Sequence, residues 1–237
     1  MANPLLKDNF FERQYAGQAT MTISGVVNKS IILWFFLAAG AFFSWTNPQT
    51  VMPLLFPLIF GGLILALINI FKKTVSPFLS PIYAFVEGLI LGVISLHFEK
   101  SHPGIVINAI LLTVCVLFCM LAAYRSGILR ATPLFTKVVV FSTLAIVMVY
   151  IVDILLNVFG GGSFPYLHDS SLIGIGISLI IVAVASLNLI IDFEIIAQAS
   201  ASGAPKYMEW YCSFALMVTL VWLYLEVLRL LSKIQRN

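Results

Sequence analysis

The chain has 237 residues, of which 61% are hydrophobic and 10% are charged, and its mean hydropathy is +1.05. A soluble domain of this length carries charge on about a quarter of its residues, so the composition excludes an ordinary soluble protein. The formal net charge of +3 is small and scattered, and no basic run is present that would favour nucleic-acid binding.

The first 29 residues mix charged and polar side chains before any long apolar stretch, which predicts an N-terminal cytoplasmic tail rather than a cleavable signal peptide. Seven apolar runs follow, and each approaches the length that crosses a hydrocarbon core of ~30 Å. The first run is short, and an earlier start near Val26 is one interpretation. The runs are 31–45, 51–71, 78–96, 105–124, 138–159, 172–197 and 211–231.

These runs predict an all-α membrane protein whose seven-helix transmembrane domain spans residues 30–234, with 235–237 as the C-terminal end. The connections are brief and rich in proline, glycine and asparagine, which leaves no room for a soluble domain. The prediction makes the lipid bilayer the main partner of the chain.

The distribution of basic residues predicts that the N-terminus is cytoplasmic. Among the loops of the opposite side, Lys100 is the one basic residue, whereas Arg229, Lys233 and Arg236 at the C-terminus conflict with the rule. Two alternatives remain: the C-terminus is translocated against the rule, or one late segment is re-entrant. The basic residues assigned to the cytoplasmic side are Lys7, Arg13, Lys29, Lys72, Lys73, Arg125, Arg130, Lys137 and Lys206.

Small residues recur every four positions in the third run, at Ser80, Ala84, Gly88 and Gly92. Residues four apart lie on one face of a helix, and small side chains there let a neighbouring backbone approach closely. The pattern predicts a tight helix–helix contact along this face.

Four acidic residues fall within apolar runs: Glu87, Asp153, Asp192 and Glu226. A charged side chain at the centre of a bilayer costs ~2.5 kcal/mol or more, so each should face the bundle interior or water, and each is a candidate site residue. Glu87 lies midway along its run, too deep for its carboxylate to reach the interface. Asp192 follows Asn188 by four residues, so the two share one face that should point inward.

The other two acids lie nearer to helix ends. Glu226 precedes Arg229 by three residues, a spacing that favours an interfacial salt bridge, and Thr219 belongs to the same semi-polar face of the last run. Asp153 lies within two turns of a predicted helix end, where extension of the side chain towards water is a sufficient explanation.

No catalytic pattern is visible in the sequence. The histidines at 97, 102 and 168 lie in loops or at span ends, so none is placed to serve a buried nucleophile. The three cysteines lie in apolar runs, where they are predicted to be structural. We therefore expect no enzymatic activity, no catalytic residue and no bound cofactor. No spacing typical of a metal site appears either, and metal binding stays an open question.

Three stretches carry a family likeness: residues 21–29 (MTISGVVNK), residues 81–88 (PIYAFVEG) with Leu91 and Gly92, and residues 203–211 (GAPKYMEWY). With these, the chain resembles the Bax inhibitor-1 family in its bacterial branch. The resemblance implies a bundle whose central last helix is wrapped by the other six, a proton-sensitive leak of calcium ions, and a place in the bacterial cytoplasmic (inner) membrane.

The resemblance also implies a pair of aspartates near the cytoplasmic mouth, one in each of the last two helices. Asp192 matches the first position, and the second falls at Thr219, which is not acidic. Glu87 or Glu226 could replace the second aspartate if either lies close to Asp192 in space.

Two functional hypotheses follow. The first is a pH-sensitive cation leak channel or transporter, with calcium as the possible transported ion, Asp192 as the titrating gate and Glu87 as a second acid along the path. The second is a non-conducting regulatory protein that binds a partner such as a membrane protease, with the N-terminal tail as the feature to test. The oligomeric state is open in both.

Overall fold

The computed structural model describes residues 20–160 and 169–236. Seven of its helices are long and apolar enough to cross a membrane, which confirms the prediction of an all-α membrane bundle. The helices are α1 (Ile23–Thr46), α2 (Leu55–Phe71), α3 (Ser76–Ser101), α4 (Ile105–Arg125), α5 (Pro133–Val158), α6 (Leu172–Ala201) and α7 (Met208–Arg236). A short helix, Pro48–Val51, and a 3-10 turn, Met52–Leu54, lead into α2.

The first helix begins before the apolar run that predicts it. Thr22 is its N-cap, and the Thr22 side chain accepts a hydrogen bond of 3.0 Å from the Gly25 amide. The earlier start is therefore the correct interpretation, and the last residues of the predicted tail are helical. Residues 1–19 of that tail lie outside the described residues.

The last two helices are continuous over 30 and 29 residues. Each is longer than the ~20 residues that a span requires, which favours a complete crossing over a re-entrant segment. Seven complete crossings would place the two ends of the chain on opposite sides of the membrane. The last helix extends to Arg236, beyond the predicted end of the transmembrane domain.

The last helix is central, as the resemblance implies. It packs against α1, α3, α4 and α6, and Tyr150 of α5 reaches it through a hydrogen bond. Leu220, Leu223 and Leu228 of α7 are almost completely buried. In contrast, α2 packs mainly on α3, and most of its surface faces outward.

The most extensive helix contact joins α1 to α3. A Cβ atom added at Gly88 would overlap the backbone carbonyl oxygen of Leu37, and one at Gly92 would overlap Ser44 and the Ala41 backbone. The two backbones are therefore in direct contact, which confirms the close packing predicted from the small residues of the third run.

Large apolar side chains cover the outward faces of the helices; examples are Phe35, Phe56, Phe71 and Phe141, each more than two thirds exposed. A soluble protein would bury such side chains, whereas a bilayer solvates them. The bundle is therefore membrane-embedded and in contact with lipid.

Candidate functional site

Asp192 lies where α6 meets α7. Its neighbours Leu189, Phe193 and Ile196 are buried in the bundle, which orients this side of α6 inward. Thr219 of α7 is the side-chain hydrogen-bonding neighbour of the Asp192 carboxyl group. The carboxylate oxygen Oδ2 is buried and has no hydrogen-bond partner among the described residues.

Asp192 lies in the second half of α6. The sequence ends the apolar run at residue 197, whereas α6 continues to Ala201, so Asp192 lies about two and a half turns before the helix end. The juxtaposition with Thr219 agrees with the position that the resemblance assigns to the second carboxylate.

Asn188 faces a different helix from Asp192. Its side-chain amide donates to the Thr143 hydroxyl of α5 at 2.9 Å and to the Val184 carbonyl oxygen at 2.9 Å. Asn188 thus connects α6 to α5, one turn away from Asp192, and no hydrogen bond between the two side chains is present in the described residues.

Glu87 lies on α3, between that helix and α2. Its hydrogen-bonding neighbour is Tyr83, one turn earlier, and its Oε2 atom lies 3.9 Å from the position of a Cβ atom at Gly62 of α2. The Tyr83 ring packs edge-to-face on Phe214 of α7, with a centroid distance of 5.1 Å. Glu87 and Asp192 therefore lie in different helix interfaces, and Tyr83 is the connection from Glu87 to the central helix.

Glu226 is a buried carboxylate with three different side-chain partners. It is 1% exposed, and it accepts hydrogen bonds from the Tyr150 hydroxyl at 2.8 Å and from Trp222 Nε1 at 3.1 Å. Arg229 forms the predicted salt bridge with it at 2.8 Å and also donates to the Tyr150 hydroxyl at 2.7 Å. The Glu226 carboxylate of this salt bridge is therefore buried in the bundle, whereas the Arg229 side chain is 42% exposed.

Asp153 is 6% exposed, so the bundle encloses this side chain, contrary to the interpretation that it extends towards water. Asp153 interacts with another group, which offsets the cost of burying its polar side chain.

Lys233 was not identified as a site residue from the sequence. The side chain is 7% exposed, and its ammonium group donates to the Gly174 carbonyl oxygen at 3.0 Å and to the Ser178 hydroxyl at 2.8 Å. Lys233 and Arg229, two of the three basic residues that conflict with the positive-inside rule, are thus held by groups of the bundle. The sequence signal for a buried Lys233 is its position four residues after Arg229, on the face of α7 that also carries Glu226.

Glu209 was also missed. It is 1% exposed, and it accepts hydrogen bonds from the Thr22 amide at 3.0 Å and from the Thr22 hydroxyl at 3.2 Å. Lys206 forms a salt bridge with it at 2.8 Å. Glu209 therefore ties the start of α1 to the start of α7. It lies within the stretch 203–211 that carries the family likeness.

A cavity of about 530 Å³ lies between α1, α3, α4 and α7. Its wall is almost entirely apolar, and the polar groups there include Ser95 and Tyr224, which hydrogen-bond to each other at 2.7 Å. This lining suits an acyl chain better than an ion. Among residues 20–160 and 169–236, no group of three or more His, Cys, Asp or Glu side chains could hold a metal ion.

The fold and these residues define a polytopic helical membrane protein with ionisable groups inside the bundle. The family described as Bax inhibitor 1 like matches residues 3–236, so the chain belongs to the Bax inhibitor 1 like family. No curated protein and no solved structure matches the chain.

Proposed function

We propose that the protein is a pH-sensitive leak channel or transporter for calcium or another cation in the bacterial cytoplasmic membrane, with its N-terminus in the cytoplasm. Asp192 is its titrating gate residue. The observation that supports this best is the buried Oδ2 atom of Asp192, which has no hydrogen-bond partner among the described residues. A buried charged oxygen in that condition is costly, so an arriving proton or cation stabilises it.

Protonation would act on the contact between α6 and α7. The charged and the neutral carboxyl group interact differently with the Thr219 hydroxyl, which can donate to one and accept from the other. A gate with two arrangements shifts towards the arrangement that better stabilises the prevailing protonation state of its carboxyl group. The change of charge at Asp192 would therefore shift the balance between the closed and open arrangements of these two helices.

The remaining candidate residues have supporting roles in this proposal. Asn188 links α6 to α5 through its hydrogen bond to Thr143. The salt bridge between Glu226 and Arg229 lies nearer to the C-terminal end of α7 than Thr219 does. Glu87 is a second acid, connected to the central helix through Tyr83. No enzymatic step and no cofactor is part of the proposal.

Reconstituted vesicles test the proposal through calcium flux measured over a range of pH. Asp192→Asn removes the titrating group and should abolish the pH dependence of the flux. Glu194→Gln is the matched control, because it removes a negative charge two residues along the same helix and keeps the acceptor for the Tyr124 hydroxyl, at 2.8 Å in the parent. An Asp192→Asn protein with the flux and pH response of the parent removes Asp192 from the mechanism.

A second candidate is the non-conducting regulatory protein that binds a partner through its N-terminal tail. Met217, Leu220 and Leu223 are packed along the central helix with 1% or less exposure, and such packing favours a closed bundle. This candidate predicts no flux through the purified protein at any pH. It also predicts that removal of residues 1–19 abolishes a cellular phenotype while the bundle stays folded.

A further inference from the structure

A second cavity, of about 450 Å³, lies at the end of the bundle where α4 ends and α5 begins. The guanidinium-bearing residues Arg125 and Arg130 line it, together with Thr132 and, from α6, Glu194. It is separate from the apolar cavity described above. Its content of charged side chains makes it a candidate for a polar ligand.

Arg125 is the last residue of α4, and Arg130 lies in the loop between α4 and α5. Gly127 has a φ of 73°, which closes α4, and the Gly127 amide donates to the Tyr124 carbonyl oxygen at 3.1 Å. A Cβ atom at Gly127 would lie 3.3 Å from the Arg130 guanidinium, so Arg130 folds back towards the end of α4.

Both arginines are exposed, and neither forms a salt bridge in the part of the chain that the structure describes. The Glu194 carboxylate in the cavity lining already accepts two hydrogen bonds, from the Tyr124 hydroxyl at 2.8 Å and from Gln198 Nε2 at 2.7 Å. The three charged residues of the lining carry a net charge of +1. Thr132 is the N-cap of α5, so the partial positive charge of that helix end adds to the field.

We infer that this cavity binds a phosphate group through Arg125 and Arg130, and that the phosphate is the headgroup of an anionic phospholipid. Arginine presents a planar fork of donors that fits phosphate oxygens. The cavity lies where α4 ends and α5 begins, and both helices are long and apolar enough to cross a membrane. Lipid headgroups are expected near the ends of spanning helices, and basic pockets at such positions suit anionic lipids. The inference does not depend on ion conduction through Asp192.

The test uses the full-length protein in uncharged detergent, titrated with phosphatidylglycerol and separately with phosphatidylcholine, with bound lipid counted by native mass spectrometry. The variant is Arg125→Gln with Arg130→Gln. The control is Lys72→Gln with Lys137→Gln, which removes two exposed charges from the same end of the bundle without touching the cavity lining. Loss of the charge-assisted contacts should weaken phosphatidylglycerol binding by about tenfold or more.

The control should bind phosphatidylglycerol like the parent, and phosphatidylcholine, whose choline ammonium offsets the phosphate charge, should bind the parent more weakly than phosphatidylglycerol does. Equal weakening in the arginine and lysine variants, or equal affinity of the parent for the two lipids, would overturn the inference. Inorganic phosphate that stabilises the lipid-free parent against heat as strongly as phosphatidylglycerol would overturn the lipid assignment. If the glutamine variant does not fold, Arg125→Lys with Arg130→Lys keeps the charge and should still bind more weakly than the parent, because the fork is lost.

Discussion

The carboxyl group of Asp192 on α6 and the hydroxyl group of Thr219 on α7 are side-chain hydrogen-bonding neighbours at the contact of the last two helices. The hydroxyl therefore takes the place that the family likeness gives to a second carboxylate. It can accommodate either protonation state of Asp192, but it cannot share a proton as a second acid would.

Thr219→Val removes this hydroxyl at almost unchanged volume. We expect the pH response of calcium flux in vesicles to change, because the neighbouring group that distinguishes the two forms of Asp192 is lost. Thr219→Ser keeps the hydroxyl and should behave like the parent. An identical pH response in the valine and serine variants would exclude a role for the hydroxyl.

Thr219→Asp adds a second carboxyl group beside Asp192. Two like charges in one site repel, so the pair holds its first proton up to a higher pH than a single carboxyl group does, and the flux should respond at a higher pH and over a wider pH range than in the parent. Flux measured at closely spaced pH values detects the change. If the added aspartate leaves the profile unchanged in a folded protein, the two positions do not act on one gate.

Gly88→Ala should destabilise the bundle by about 1–3 kcal/mol, because the added Cβ overlaps backbone atoms of Leu37 and forces α1 away from α3. The measurement is thermal unfolding in detergent. The control is Gly61→Ala in α2, where no atom lies within 4 Å of the added Cβ. That control should be neutral or slightly stabilising, since alanine favours helix over glycine, and an equal loss in both variants would mean that the helix contact is not the cause.

Glu226→Gln should lower the unfolding temperature more than Trp222→Phe does. The first change weakens the salt bridge with Arg229 and the hydrogen bonds from Tyr150, whereas the second removes one donor at 3.1 Å. A single neutral hydrogen bond contributes about 1 kcal/mol, and a bond to a charged group contributes about 1.5–3 kcal/mol. Equal unfolding temperatures for the two variants would show that the charge on Glu226 adds no stability.

Glu209→Ala should release the first turn of α1, since the Thr22 amide and hydroxyl lose their acceptor. Hydrogen–deuterium exchange at residues 20–26 should then become faster, while exchange in the middle of α7 stays slow. Lys206→Gln leaves the carboxylate in place and should produce a smaller change. Unchanged exchange at Thr22 in the alanine variant would mean that other contacts hold this turn.

The number and order of the helices could be read from the chain, because a bilayer demands long uncharged segments and the seven runs are separated by breaker residues. The same reasoning placed the close contact of Gly88 and predicted an inward-facing Asp192, since lipid penalises charge on any outward face. It assigned Glu226 to an interfacial salt bridge, whereas the structure buries its carboxylate in the bundle. The salt bridge from Glu226 to Arg229 followed from helical spacing alone.

Which helix each polar side chain meets was decided by the tertiary structure. Glu87 lies beside α2, Asn188 bonds to α5, and Lys233 reaches α6, although all three lie on helices predicted correctly. Periodicity assigns a residue to a face of its own helix, but the neighbour of that face depends on how seven helices pack together. Glu209 was missed for the same reason, because its partner Thr22 lies 187 residues away in the chain and becomes its neighbour only through folding.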